Sequence, residues 1–205
     1  MGRGFLLALE GVDGSGKTTQ AQLLAVSLMQ QGREVVLTQE PTNGPVGQKL
    51  RHYLHGPTRH LSPSEELDLF LADRREHVET LIKPALAGGR MVITDRYYYS
   101  TVAYQGALGL DPKEILAANE AFAPKPDLVF LLLMPVSQAL ERLQRKRQVS
   151  ELLPYLERVA AIYETLPDPR IQRLDAGSSA QALHAILLAR TLAALQGFEG
   201  GGQGS

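Results

Sequence analysis

The sequence contains no cysteine. Disulfides, thiolate nucleophiles and Cys-ligated zinc are therefore excluded, and nothing conflicts with a reducing cytosol. Charge of one sign is not in excess either: 21 Lys and Arg face 22 Asp and Glu, for a formal net charge of −1. No basic field gathers nucleic acid, and no acidic bias points to a solvating tail. Long apolar runs are also missing. The opening "FLLAL" is too short for a signal-peptide core, and "LVFLLLM" at 128–134 falls far below the roughly 20 residues of a membrane helix. The expectation is a cytoplasmic globular protein with neither nucleic acid nor membrane as partner. At 205 residues it is large enough to bury a core as one domain.

What is present is an alternation. Short continuous apolar runs are separated by longer stretches of helical period, the pattern of a parallel sheet covered on both faces. Strands are predicted at 5–10, 34–39, 90–95, 127–134 and 171–176, the last weakest because it is half polar. Helical stretches lie near 17–31, 64–87, 98–108, 136–148, 151–166 and 179–196. The first ends at Gly32 and the second at the pair Gly88 and Gly89, both good helix stops. No internal repeat is visible. One domain is expected over 1–196, followed by a disordered glycine-rich tail, "GFEGGGQGS", over 197–205.

Residues 11–18, "GVDGSGKT", fit G-x-x-x-x-G-K-[ST] between a predicted buried strand and a predicted helix. Glycines let the chain curl so that successive N–H groups converge on phosphate oxygens, and the helix adds its positive end. Gly11, Val12, Asp13, Gly14, Ser15, Gly16, Lys17, Thr18 and Thr19 are thus the candidate ATP-binding segment. Lys17 is placed to reach the β- and γ-phosphates, and the Thr18 hydroxyl to ligate Mg²⁺. At ordinary residue frequencies an accidental match in a chain of this length is roughly a one per cent event. Asp13 is the odd member, an anion inside an anion-binding loop.

Two further absences narrow the class. A guanine-reading N/T-K-x-D segment is missing; the one K-x-D, at 125–127, follows proline. The paired acids of a motor or transporter ATPase are missing too, because Asp95 at the end of "MVITD" is followed at once by Arg96. An arginine beside a strand-end acid suits an enzyme that holds a second phosphorylated substrate, hence a nucleotide kinase. Another P-loop nucleotide or deoxynucleoside kinase stays open, as does, from a different class, a P-loop regulatory ATPase.

"EGVDGSGKTTQ", "TQEP", "GQKLRHYL", "LFLADRREHV", "DRYYYSTVAYQG", "PKPDLVFLL" and "LDA" resemble, in that order, the motif series of bacterial thymidylate (dTMP) kinases. The resemblance implies a P-loop nucleotide kinase fold with a five-stranded parallel sheet, helices on both faces and a short lid. It implies ATP and dTMP as substrates, Mg²⁺ as cofactor, dTDP as product and a homodimer as the assembly.

The acceptor phosphate, with a second pKa of about 6, is largely dianionic at neutral pH, so no general base is needed. Each pair of unit charges ~5 Å apart repels by roughly 3 kcal/mol at an effective dielectric of about 20. Lys17, Mg²⁺ and arginines must cancel several such terms.

By the resemblance, Arg96 and Arg51 hold the acceptor phosphate, Phe70 stacks on thymine and Arg74 meets its O4. Tyr104 lies against the deoxyribose, Gln105 and Ser100 lie near the base, and Asp13 accepts from the sugar 3′-hydroxyl. Tyr97 is expected to be the site tyrosine among the three in a row. Glu40, before Pro41, organises either Mg²⁺-bound water or an acceptor-side arginine. Asp95 orients Mg²⁺ water or an arginine. The lid is expected at about 142–153, with Arg142 on ATP and Arg145 or Arg147 supplying transition-state charge. The family's D-R-x-E lid segment is lacking there, and a solvated basic face is the bland alternative.

Overall fold

The computed structural model describes residues 3–56, 60–143 and 149–201. Five strands form one all-parallel sheet: β1 (Leu6–Glu10), β2 (Val35–Gln39), β3 (Met91–Asp95), β4 (Leu128–Leu133) and β5 (Ile171–Asp175), in the order β2-β3-β1-β4-β5. The helices between them are α1 (Lys17–Gln30), α2 (Pro45–His55), α3 (Pro63–His77), α4 (Lys83–Ala87), α5 (Tyr98–Gly106), α6 (Pro112–Glu120), α7 (Val136–Arg142), α8 (Val149–Thr165) and α9 (Ala180–Gly201).

The sheet order accounts for the strand composition. β1, β3 and β4 are central and covered on both faces, so "LLALE", "MVITD" and "LVFLLL" are almost wholly buried. β2 and β5 are edges and are less buried. In β5 only Ile171 and Leu174 are buried, and for this reason "IQRLD" looks half polar. Register places Gln39 and Leu9 beside Asp95, and Glu10 beside Leu131. The carboxyl ends of these strands thus lie on one edge of the sheet, the rim where ligands of open α/β sheets bind.

Four elements differ from expectation, the first being helix α2, which begins at Pro45 where no helical stretch was expected. The long helix predicted over 64–87 starts with a capping box, Ser62 with Glu65, but passes through a π-helical turn at Val78–Ile82 before α4. Pro84 has no N–H to offer the preceding turn, so the regular i→i−4 ladder cannot cross it. Helix α6 was not anticipated; Asp111 caps it through the Lys113 N–H and Pro112 sits in its first turn. Helix α9 continues to Gly201, beyond the Gly197 at which order was expected to end. Phe198 meets the Phe5 ring edge-on at 5.2 Å, and Glu199 pairs with Arg33 at 2.7 Å. Those anchors offset the poor helix propensity of the glycines around them.

Candidate active site

The phosphate loop leaves β1 at Glu10. Gly14 has φ +87°, and a Cβ there would lie 2.3 Å from the Ala139 carbonyl oxygen of α7. Only glycine lets the loop pass so close. Gly16, also left-handed, precedes α1 without any side-chain cap, so the first N–H groups of that helix are left for an anion. Lys17 is 5% exposed; its ammonium donates to the Val12 carbonyl at 2.8 Å and lies 3.5 Å from Ser15 Oγ. Burial, reinforced by the nearby Arg96 charge, pushes its pKa down to about 7.

The Thr18 hydroxyl donates to Asp95 Oδ2, while Asp95 Oδ1 is buried with no hydrogen-bond partner among the described residues. One hydroxyl and one spare carboxylate oxygen beside a phosphate site suit Mg²⁺, which keeps several waters and takes few protein ligands. Among the described residues no cluster of three or more His, Cys, Asp or Glu could hold a metal by itself. In front of the loop lies a cavity of about 610 Å³, walled by Asp13 through Gln20, Asp95, Arg96, Arg142 and the start of α9. Arg142 also donates to the Ala176 carbonyl at 3.1 Å. Gly11 and Val12 face a different cavity, toward β4 and α8.

A cavity of about 340 Å³ adjoins the first, with Phe70, Tyr104, Gln105 and Ser100 in its wall. Asp13, Arg96 and Leu143 border both. Arg96 is a non-glycine residue at φ +72°, pinned by its own N–H to the Leu9 carbonyl and by the Thr94 hydroxyl to its carbonyl. Its guanidinium pairs with the Asp13 carboxylate, donates to Ser100 Oγ at 2.9 Å and to the Gly11 carbonyl at 3.3 Å, and lies 5.1 Å from the Tyr104 ring centroid. A left-handed conformation held this firmly aims the side chain between the two cavities. The Tyr104 hydroxyl accepts from the Asp13 N–H at 3.2 Å, and burial keeps its pKa above the ordinary value.

Two adjoining cavities, one lined by a phosphate loop and both bordered by one Asp–Arg pair, describe an enzyme that juxtaposes two anionic substrates. The thymidylate kinase family model matches residues 9–186. The chain belongs to the thymidylate kinase family. It is 47% identical over 180 residues to the thymidylate kinase of Desulfotalea psychrophila, covering 86% of this chain and 88% of that one. The thymidylate kinase of Xanthomonas campestris is 48% identical over 193 residues, 91% of this chain and 84% of its own. That of Xanthomonas euvesicatoria is 45% identical over 201 residues, 95% and 88%.

Not every residue singled out by the family resemblance reaches a cavity wall. Arg74, 2% exposed, is fully engaged: Nε and Nη2 on Glu40 Oε2 at 2.9 and 2.5 Å, Nη1 on Asn119 Oδ1, and Nη2 also on Thr101 Oγ1 at 3.0 Å. Glu40 is held further by His77 Nδ1 at 2.9 Å. Buried among these partners, Glu40 stays below the usual carboxylate range: the Arg74 charge and the His77 contacts outweigh desolvation. Arg51 folds onto the Pro41 carbonyl through Nε and Nη2, with Glu40–Pro41 as a cis bond. Tyr97 is wholly buried, its hydroxyl donating to the Pro124 carbonyl at 3.1 Å; its extended backbone at the start of α5 turns the ring inward. Arg145 and Arg147 lie outside the described residues.

One residue beneath the site was not picked out from the sequence. Glu10, fully buried at the end of β1, accepts from the Tyr97 and Ser100 N–H groups at 2.9 and 3.2 Å and from the Ser100 and Tyr163 hydroxyls. Desolvation raises its pKa, partly opposed by these contacts and by Arg96. It thus gathers β1, the start of α5 and helix α8 under the Arg96 guanidinium. Its sequence signals were a charge ending an otherwise apolar strand and its place at the head of "EGVDGSGKTTQ".

Proposed function

We propose that the protein transfers the γ-phosphoryl group of ATP to dTMP, giving ADP and dTDP. The observation that carries this is the Asp13–Arg96 pair, which borders both the phosphate-loop cavity and the smaller cavity walled by Phe70 and Tyr104. The relatives' names, together with the motif series, select dTMP as the acceptor.

Lys17 and the N–H groups of the loop bind the β- and γ-phosphates of ATP, with Thr19 and Arg142 along the cavity wall. Thr18 and Asp95 would hold Mg²⁺, which would supply charge neutralisation to the phosphates. Phe70 stacks on the thymine ring, Tyr104 closes on the deoxyribose, and Asp13 registers the sugar. Arg96 sits where charge grows between donor and acceptor, so it orients the attacking oxygen and stabilises the transferring group. The acceptor phosphate is its own nucleophile, and Asp95 does not act as a base. Arg74 contributes through Glu40, holding the β2 end and Pro41 against the cavity. Arg51 supports the same turn. Ser100 steadies Arg96. A homodimer, cytoplasmic location and a lid supplying Arg145 or Arg147 complete the proposal and rest on the family likeness.

The test is ADP release with ATP, Mg²⁺ and a panel of nucleoside monophosphates. Strong stimulation by dTMP over dCMP, UMP and deoxynucleosides is expected. ATP turnover indifferent to all of them would sink the proposal. Light scattering at working concentration checks the dimer.

A further inference from the structure

The smaller cavity contains a polar pair that no step above uses. Gln105 of α5 and Glu66 of α3 both line it, and they are 1% and 4% exposed. Gln105 Nε2 donates to Glu66 Oε1 at 2.8 Å. Gln105 Oε1 is buried and has no partner among the described residues. A buried amide carbonyl without a donor is an uncommon and costly arrangement, and a ligand N–H is one way to satisfy it.

We propose that Glu66 is a specificity-determining positioning residue, which locks the Gln105 amide so that its carbonyl faces the acceptor base as a hydrogen-bond acceptor. The lock follows from chemistry. A carboxylate only accepts, so the amide must turn its NH₂ toward Glu66 and its oxygen away. A glutamine at position 66 would tolerate either amide orientation; a glutamate tolerates one.

The consequence is selectivity at the base edge. Thymine and uracil carry an imide N3–H, which satisfies the waiting oxygen. Cytosine has a lone pair at N3, so acceptor would face acceptor. Phe70 stacks on any pyrimidine and cannot make this distinction. Sites that demand a particular hydrogen-bonding group reject analogues lacking it far more strongly than apolar pockets reject a change of size. Glu66 touches no reacting atom; it acts through Gln105. This inference rests on the reading of the smaller cavity as the dTMP site.

The experiment is equilibrium binding of dTMP, dUMP and dCMP to wild type, Glu66→Gln, Gln105→Ala and the double variant. In Glu66→Gln the preference for dTMP over dCMP should fall by about tenfold or more, while dTMP over dUMP stays unchanged, because both rings carry the imide. Once Gln105 is alanine, Glu66→Gln should change the dTMP to dCMP ratio no further. Ratios taken on one preparation do not move with the folded fraction. An unchanged dTMP to dCMP ratio in Glu66→Gln overturns the proposal. So does an equal fall in the dTMP to dUMP ratio, or the same loss in the Gln105→Ala background. If wild type fails to bind dTMP, the functional reading falls and this one with it. If wild type binds dTMP and the variant ratio holds, only Glu66 loses its role.

Discussion

Arg96→Ala probes the point at which the two cavities meet. The guanidinium is held by Asp13, Gly11 and Ser100, and its charge faces both. A unit charge acting on a transferring phosphoryl ~5 Å away at an effective dielectric of about 20 contributes roughly 3 kcal/mol, equivalent to roughly 10²-fold in rate. Arg96→Ala should therefore lower kcat/KM for dTMP by at least ~10²-fold in the coupled ADP assay. Position 96 also carries φ +72°, a strained conformation for any residue with a Cβ. That separates two effects in one series. Arg96→Gly should be more stable than Arg96→Ala by about 1 kcal/mol in denaturant melts, yet equally inactive. Arg96→Lys keeps the charge and loses the fork, so its activity should fall between. Wild-type turnover in Arg96→Ala would refute the role. Recovery of activity in Arg96→Gly would show that loop conformation, and not the guanidinium, limits the rate.

Lys17 titrates near 7 in the free protein and should regain its ordinary pKa of 10.5 beside a triphosphate. ATP binding then takes up a proton between those values, and affinity falls as pH rises above about 7, by up to about tenfold per unit. Binding heats at pH 8 should depend on buffer ionisation enthalpy; identical heats in all buffers would contradict this. Glu10 titrates above its ordinary 4.5 when folded, so the native state holds more protons than the unfolded state above that pH. Its contribution to stability declines as pH rises above 4.5, and Glu10→Gln should flatten the fall of unfolding free energy above that pH. Equal slopes in both proteins would show that Glu10 is not the group responsible. Phe70→Ala should raise the KM for dTMP about tenfold or more while that for ATP stays, given that base stacking on an aromatic ring is worth ~1–3 kcal/mol. Equal rises for both substrates would exclude stacking as the role of Phe70.

What the sequence determined by itself was local in origin. The phosphate loop is legible because glycine spacing, Lys17 and Thr18 are contiguous and dictate their own backbone path. The three central strands are legible because burial on both faces demands unbroken apolar runs. The edge strand β5 was faint because half of it faces away from the core. Side-chain direction was decided by tertiary structure. Arg74 and Phe70 lie four apart on α3, yet Phe70 faces the cavity while Arg74 is drawn down onto Glu40, Asn119 and Thr101. Those partners come from other elements, 34, 45 and 27 residues away in sequence. Likewise Glu10 is paired with Tyr163 across 153 residues, and Gln105 with Glu66 across 39. No period or motif encodes such pairs. Burial forces each polar group to find a partner, and which partner is within reach depends on how the sheet stacks its helices.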